Sequence, residues 1–222
     1  MKKNRKKVKI KYKNVFKFLI CLILIILSIK YILNLSITNI YISGNNLLSD
    51  SYIMDVAKIS DYPKIITTPN YKIKKLLLKD DDIYKVNVYK KWTKLYIEIE
   101  ENIPLFYNSN LSSVVMLDKS VRKSNIITPY LVNYIPDTIY SSFVDTMCNI
   151  DREILSRISE IEYTPNDVDS ERFLLTMSDG NYIYVTLRTF TKVNNYIEML
   201  KQFKGENGIL YLDSGEYFEI KN

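Results

Sequence analysis

The beginning of this chain limits everything that follows it. Ten of its 31 lysines and arginines lie in the first thirty positions, where none of its 25 acidic residues occurs. Behind that basic start, residues 18–29 are almost purely aliphatic. Twelve residues of helix span only about 18 Å, too little for a bilayer. Extension to residues 15–35 supplies the roughly 20 residues a crossing needs, provided Lys17 and Lys30 reach their ammonium groups to the two interfaces. Tyr31 then sits at interfacial depth. The basic residues precede the apolar run, and only Lys30 follows before Lys58, so the positive-inside rule places the N-terminus in the cytoplasm and the rest of the chain outside. A cleaved secretory signal shares these features, but no A-x-A-like site follows, Ser36 and Thr38 being the small residues at hand. A retained single-pass anchor is therefore expected, integral to the cell membrane.

Charge and residue counts then exclude several function classes. Past residue 30 the chain carries 21 basic and 25 acidic groups, so the positive charge sits on the tail and not on a nucleic-acid-binding surface. There is no histidine, which removes Ser-His-Asp, Cys-His and His-ligated zinc arrangements together. Cys21 lies in the apolar run and Cys148 far downstream, so no disulfide framework exists and the outer part must stand on packed cores. No cofactor, metal or catalytic residue is expected.

Along the outer part, Ile37 to Ile42 reads as a strand before a Ser43-Gly44-Asn45-Asn46 turn. A helix capped by Ser49 or Asp50 carries Ile53, Val56 and Ala57, and a second begins near Asn70 with Ile73, Leu76 and Leu77 on one face. Two alternating runs follow, with Tyr84, Val86 and Val88 in the first and Leu95, Ile97 and Ile99 in the second. They are joined through Lys90-Lys91-Trp92-Thr93, a hairpin with a longer turn. This order predicts a compact α+β unit with helices on one side of a three-stranded sheet. Beyond Pro104 the signals are a strand over 114–117, loop through Pro129 and Pro136, and a helical stripe of Ile139, Phe143, Met147 and Ile150. Ile154, Leu155, Ile158 and Ile161 continue that stripe. A hairpin about Ser178-Asp179-Gly180-Asn181 comes next, then a helix bearing Val193, Ile197, Leu200 and Phe203, and closing strands over 209–212 and 217–220.

These features resemble the bacterial cell-division family FtsQ, called DivIB in Gram-positive bacteria. The resemblance rests on the basic tail and anchor, on Ile40-Tyr41-Ile42-Ser43-Gly44-Asn45 as an opening strand and turn, and on Val86-Asn87-Val88. It rests also on Leu95 through Pro104 with a Glu-x-x-Pro close, and on the later Asp179-Gly180 and Asp213-Ser214-Gly215 turns. A proline the family often carries in the turn between its second and third strands is replaced by Trp92-Thr93-Lys94, and residues 108–135 match no feature of it. The resemblance implies an α+β chain: a basic tail over 1–14, a transmembrane helix over 15–35, a POTRA-type βααββ domain over 36–104, and a mixed β-domain with packed helices over 105–222. It further implies a non-enzymatic divisome scaffold at the septum. Such a scaffold binds FtsL-type and DivIC/FtsB-type bitopic proteins, influences septal peptidoglycan synthesis, and takes neither nucleic acid nor a small-molecule substrate. An anchored cell-wall hydrolase using paired carboxylates and a POTRA-bearing export accessory are the competing classes.

Single residues divide between structural and functional readings. Glu98 and Glu100 fall on the solvent face of an amphipathic strand, which explains them without acid-base chemistry. Asp80-Asp81-Asp82 lacks the spacing of a calcium loop and fits a helix-end turn. Cys148, on an apolar helix, reads as a structural thiol. Trp92 fits a partner anchor or a cap on the sheet edge equally well. The last segment is the expected partner site, because a strand near the C-terminus offers an edge for strand addition. The resemblance carries this role onto Tyr211, Leu212, Asp213, Ser214 and Gly215, and position adds Tyr217 and Phe218. An ordinary edge strand closing the fold is the other reading of those residues.

Overall fold

The computed structural model describes residues 12–221 apart from 60, 62, 125 and 204. Residues 1–11, which hold most of the expected cytoplasmic tail, lie outside the described residues. The chain separates into two compact units, Met1–Glu101 and Asn102–Asn222.

The first unit begins with α1 (Tyr12–Asn34), whose described side chains are exposed throughout. Within it, Val15–Asn34 is long and apolar enough to cross a membrane. Then follow β1 (Asn39–Ser43), α2 (Asp50–Val56), α3 (Asn70–Leu77), β2 (Ile83–Lys91) and β3 (Lys94–Glu101). The Ser49 hydroxyl accepts from Tyr52 N at 3.2 Å and caps α2, satisfying a donor that the first helical turn leaves open. The three strands pair in the order β1-β3-β2, β1 parallel to β3 and β2 antiparallel to it. Ile53, Ile73 and Leu77 from the helices meet Leu95, Ile97 and Ile99 from the central strand in one buried cluster.

Two parts of this unit that are far apart in sequence explain each other. A side chain at Gly44 (φ +85°) would place its Cβ 1.9 Å from the Ile99 carbonyl oxygen, so only glycine lets the turn approach β3. The three residues after Asn45 then direct their amides at one carboxylate: Glu101 Oε1 accepts from Asn46, Leu47 and Leu48 N at 2.8, 2.6 and 2.8 Å. The hairpin differs from the longer turn expected. Lys91 pairs with Lys94, leaving a two-residue turn of Trp92 and Thr93 with Trp92 at φ +57°. No glycine or asparagine marks the turn, so its shortness is invisible in the sequence.

The second unit contains β4 (Pro104–Asn108), β5 (Ser113–Met116), β6 (Val121–Arg122), β7 (Tyr130–Leu131), α4 (Asp137–Met147), α5 (Arg152–Leu155) and β8 (Ile158–Tyr163). After these come β9 (Arg172–Met177), β10 (Tyr182–Thr186), a 3₁₀ turn (Phe190–Asn195), α6 (Tyr196–Leu200), β11 (Gly208–Tyr211) and β12 (Tyr217–Ile220). Among the described residues the strands form one nine-stranded sheet, ordered β12-β11-β10-β9-β8-β7-β4-β5-β6. Phe143 of α4 stacks on Phe173 at 5.0 Å and meets Phe106 and Phe190 at 5.1 and 6.1 Å, all four rings fully buried. Aromatic pairs at such distances add to the gain from area burial alone.

Three expectations are corrected here. The helical stripe proposed through Ile158 and Ile161 ends with α5, and those two residues belong to β8. A bulge between Ile158 and Glu160 inserts one residue, so two inward side chains stand three apart and imitate a helical interval. The stretch read as loop around Pro129 holds β7, which pairs parallel with both β4 and β8. Asn133 prolongs that pairing through its side chain, giving Nδ2 to Tyr163 O and taking Tyr163 N on Oδ1, each at 2.8 Å. Lastly, the helix expected from Val193 begins as a 3₁₀ turn, whose threefold repeat buries Phe190, Val193 and Tyr196 and leaves Ile197 and Leu200 half-exposed.

Candidate functional site

The C-terminal edge of the large sheet is built by a crossover. β10 leads through the 3₁₀ turn and α6 to β11, which returns parallel beside it, and β12 then folds back antiparallel to β11 as the last strand. Asn181, buried in the β9–β10 turn, ties these pieces together. Its Oδ1 accepts from Gly208 N at 2.9 Å, and its Nδ2 donates to the Tyr196 hydroxyl at 2.9 Å. That hydroxyl donates to Asp179; burial first and the Asp179 bond second push its pKa up, so it stays a neutral donor.

The backbone of β12 sorts its residues into two sets. Lys221 N donates to Asn207 O at 3.0 Å, and hydrogen-bonded pairs alternate along an antiparallel ladder. With Glu219 opposite Ile209 and Tyr217 opposite Tyr211, those two residues turn their amide and carbonyl groups toward β11. Phe218 and Ile220 turn theirs outward, along an edge that no strand covers among the described residues.

The expected site residues fall in different surroundings. Tyr211 and Tyr217 stack at 4.5 Å on the face away from the helices, and Tyr184 extends the stack at 5.5 Å. Tyr217 is 50% exposed, and the Tyr211 hydroxyl donates to Glu219 at 3.1 Å. Phe218 lies on the opposite face, stacked on Phe203 at 3.7 Å. Leu212 is 1% exposed, and its amide donates to Tyr184 O at 2.8 Å, so it closes the β10–β11 pairing inside the core. Asp213 accepts from Arg172 Nε at 2.7 Å while that guanidinium lies 3.6 Å over the Tyr184 ring. Burial pushes the Asp213 carboxyl up, yet the Arg172 bond and charge, with help from Ser214, hold it below the usual carboxylate range. Ser214 and Gly215 are exposed in the turn, which Lys192 clamps by an ion pair with Glu216. Sequence reasoning missed Ile220, which is 53% exposed on the edge strand; the alternation of β12 was its only signal.

The residues weighed for chemistry are held by neighbours. Glu98 accepts from Asn87 Nδ2 and the Tyr89 hydroxyl, both at 2.9 Å, and Glu100 pairs with Lys85 at 3.0 Å. Asp80 accepts from the Tyr52 hydroxyl at 2.7 Å, which pushes that phenol up to about 12, and from Asp82 N at 3.0 Å in a turn after α3. No group of three metal-ligating side chains occurs among the described residues. A shallow cleft of about 120 Å³, lined by Asn108, Leu131, Tyr134, Ile135 and Tyr140 among others, carries one carboxylate, Asp137. The two flanking acids of glycoside hydrolysis are not assembled in it.

Comparison with known proteins shows what the chain is similar to. Residues 35–102 match the family described as "POTRA domain, FtsQ-type". Cell division protein DivIB of Listeria monocytogenes is 26% identical over 90% of this chain and 78% of its own length. DivIB of Bacillus subtilis is 25% identical over 82% of this chain and 73% of its own. DivIB of Erysipelothrix rhusiopathiae is 24% identical over 73% of this chain, a match spanning 64% of that protein. A solved structure of the major extracytoplasmic domain of DivIB from Geobacillus stearothermophilus superposes with a TM-score of 0.37 at 18% identity, over 47% of this chain and 96% of that one. The chain thus joins an apolar N-terminal helix to an FtsQ-type POTRA domain, and it is similar over most of its length to division proteins named DivIB.

Proposed function

We propose that this chain is a non-enzymatic scaffold of the bacterial division machinery. Here α1 spans the membrane, the basic tail is cytoplasmic, and both folded units are extracytoplasmic at the septum, as a POTRA domain and a partner-binding β-domain. The β12 edge receives an extended segment of a bitopic partner of FtsL or DivIC/FtsB type, and the chain thereby influences septal peptidoglycan synthesis. The division role draws on the names of the relatives, and the anchor on the length and composition of α1. One observation carries the site: β12 is the last strand of its sheet, with the backbone groups of Phe218 and Ile220 turned away from β11. Backbone pairing supplies affinity there, and the Tyr211–Tyr217 stack offers the area that selects a partner. Leu212 and Asp213 act from beneath, holding β11 and the turn in place.

The test separates backbone from side chain. Ile220→Pro removes an outward donor and leaves every bond to β11, as a proline on an edge strand can. Ile220→Ala keeps the donor and loses only the side chain. Pull-down of the partner from detergent extracts should weaken for Ile220→Pro by about 1 kcal/mol or more, roughly fivefold, and much less for Ile220→Ala. Equal capture by a folded Ile220→Pro variant would remove β12 as the binding edge. A fluorescent fusion spread evenly around the envelope, without a mid-cell band, would remove the division role itself.

A further inference from the structure

Trp92 is the single tryptophan of the chain, and the fold treats it in an unusual way. It holds the first position of a two-residue turn at φ +57°, a backbone region that bulky residues avoid and glycine enters freely. The residue is nevertheless 80% exposed, so little packing within the unit offsets that strain.

The topology fixes where the ring stands. β1 runs parallel to β3 with Asn39 opposite Lys94, so the chain arrives from α1 at the same end of the sheet where the hairpin turns. Asn34, the last residue of α1, and Asn39 are joined by four residues, a reach of at most about 18 Å. Those residues are pinned. Leu35 O accepts from Ile65 N at 3.0 Å, Ile37 N donates to Pro63 O at 2.8 Å, and Thr38 N donates to Thr93 O at 2.8 Å. Lys64 Nζ reaches Asn34 Oδ1 at 3.0 Å. The turn is thus hydrogen-bonded to the segment that leaves α1.

The neighbours of Trp92 share one chemistry. Lys91 Nζ lies 5.5 Å from the ring centroids of Tyr89 and Tyr96, and Lys94 Nζ lies 5.9 Å from that of Tyr41. Lys91 also acts on the charge of Glu98, but neither lysine forms an ion pair among the described residues. The loop pinned to the same segment carries exposed Ile66, with exposed Asp61 as its acidic residue. Indole rings favour the boundary between hydrocarbon and water, and lysines beside them favour anionic headgroups.

We propose that the Trp92 turn is a foot on the membrane: the indole enters the headgroup region of the bilayer that α1 crosses, with Lys91 and Lys94 against anionic lipid. The first unit would then stand on the membrane in a fixed orientation. This inference rests on the reading of α1 as a membrane span, and its test keeps the two apart.

The full chain, reconstituted into phosphatidylglycerol-containing vesicles, carries its own probe. Trp92 emission should shift to the blue, lose intensity to lipids brominated near the headgroup more than to lipids brominated at the chain end, and resist aqueous iodide. Substitution of Lys91→Gln with Lys94→Gln should lessen the quenching in anionic vesicles and leave it unchanged in neutral ones. A Tyr31→Trp, Trp92→Phe variant reports on α1. If its indole is quenched by lipid while Trp92 in the unaltered chain stays open to iodide, the foot is overturned and the span stands. If neither is quenched, the span fails and the foot with it. A Trp92 shielded from iodide yet unquenched by any lipid would show a protein contact instead, and would also overturn the proposal.

Discussion

In the first unit Tyr89, Tyr96 and Tyr41 stack across three strands at 5.0 Å spacing; in the second, Tyr184, Tyr211 and Tyr217 stack across three strands at 5.5 and 4.5 Å. Each ladder lies on the sheet face away from the helices, and each has cations over its rings. The cations differ. Lys91 and Lys94 sit more than 5 Å from the tyrosine centroids, on flexible stems, whereas Arg172 lies 3.6 Å from Tyr184 and is locked by Asp213. A planar guanidinium fixed by a carboxylate stiffens what it covers, and a lysine leaves its surface adaptable. The first ladder spans its whole sheet and ends beside a strained turn. The second covers only the last three strands and stops at an open edge. One side-chain device thus serves a soft end suited to a fluid surface and a rigid end suited to a single strand.

The sharpest way to break this contrast is Gly208→Ala. A Cβ there would lie 2.0 Å from Glu219 O and 2.7 Å from the Phe218 ring, so β12 must move away from β11. Overpacking of this kind costs about 3 kcal/mol. The expected outcome is local: loss of hydrogen-exchange protection over β11 and β12, with the first unit still protected. Loss of protection in both units would show that the two ladders are not independent.

A smaller effect is expected from Asp213→Asn, which leaves Arg172 half-buried without its anion and costs about 2 kcal/mol at neutral pH. The Asp213 carboxyl lies below its ordinary value in the folded state, so its stabilisation is complete above the unfolded value of about 3.9 and fades as pH falls through the folded one. The melting difference between the parent and Asp213→Asn should therefore shrink below about pH 4. Glu98 on the first ladder is also held below its usual range, by Asn87 first and Tyr89 next, but it is open to solvent, so Glu98→Gln should hardly move the melting point. Equal effects would mean that the second ladder is no stiffer than the first.

Where the contrast was visible in the sequence follows from period and turn chemistry. The βααββ order of the first unit showed because β1 and β3 alternate strictly and its helices repeat at three and four. The hairpin about Asp179-Gly180 showed for the same reason. β8 did not, since its bulge converts an interval of two into one of three, and β7 did not, since two residues carry no period. Among the proposed site residues, Tyr217 and Phe218 were legible as an alternating strand. That Leu212 and Asp213 face inward was not, because Leu212 pairs with Tyr184 through a crossover and Asp213 meets a residue 41 positions away. Glu101 was legible only as part of a motif, and the three amides it accepts lie more than fifty residues upstream.

One expected effect on stability is a gain, and it bears on the soft end. If the positive φ at Trp92 is strain kept for contact with a membrane, glycine should relieve it, since glycine enters that region without steric cost. Trp92→Gly removes little packing, because the ring is exposed, and it leaves the bond from Thr38 N to Thr93 O in place. The unfolded chain gains entropy from the glycine, which offsets part of the relief. The balance should still raise the stability of the first unit by about 1 kcal/mol, read as a higher melting temperature of the full chain in detergent. In vesicles the order should reverse, because the parent regains through the indole what the turn costs it, and Trp92→Gly cannot. A variant that is less stable in detergent as well would show that the ring caps the sheet end, and that the strain is repaid within the fold.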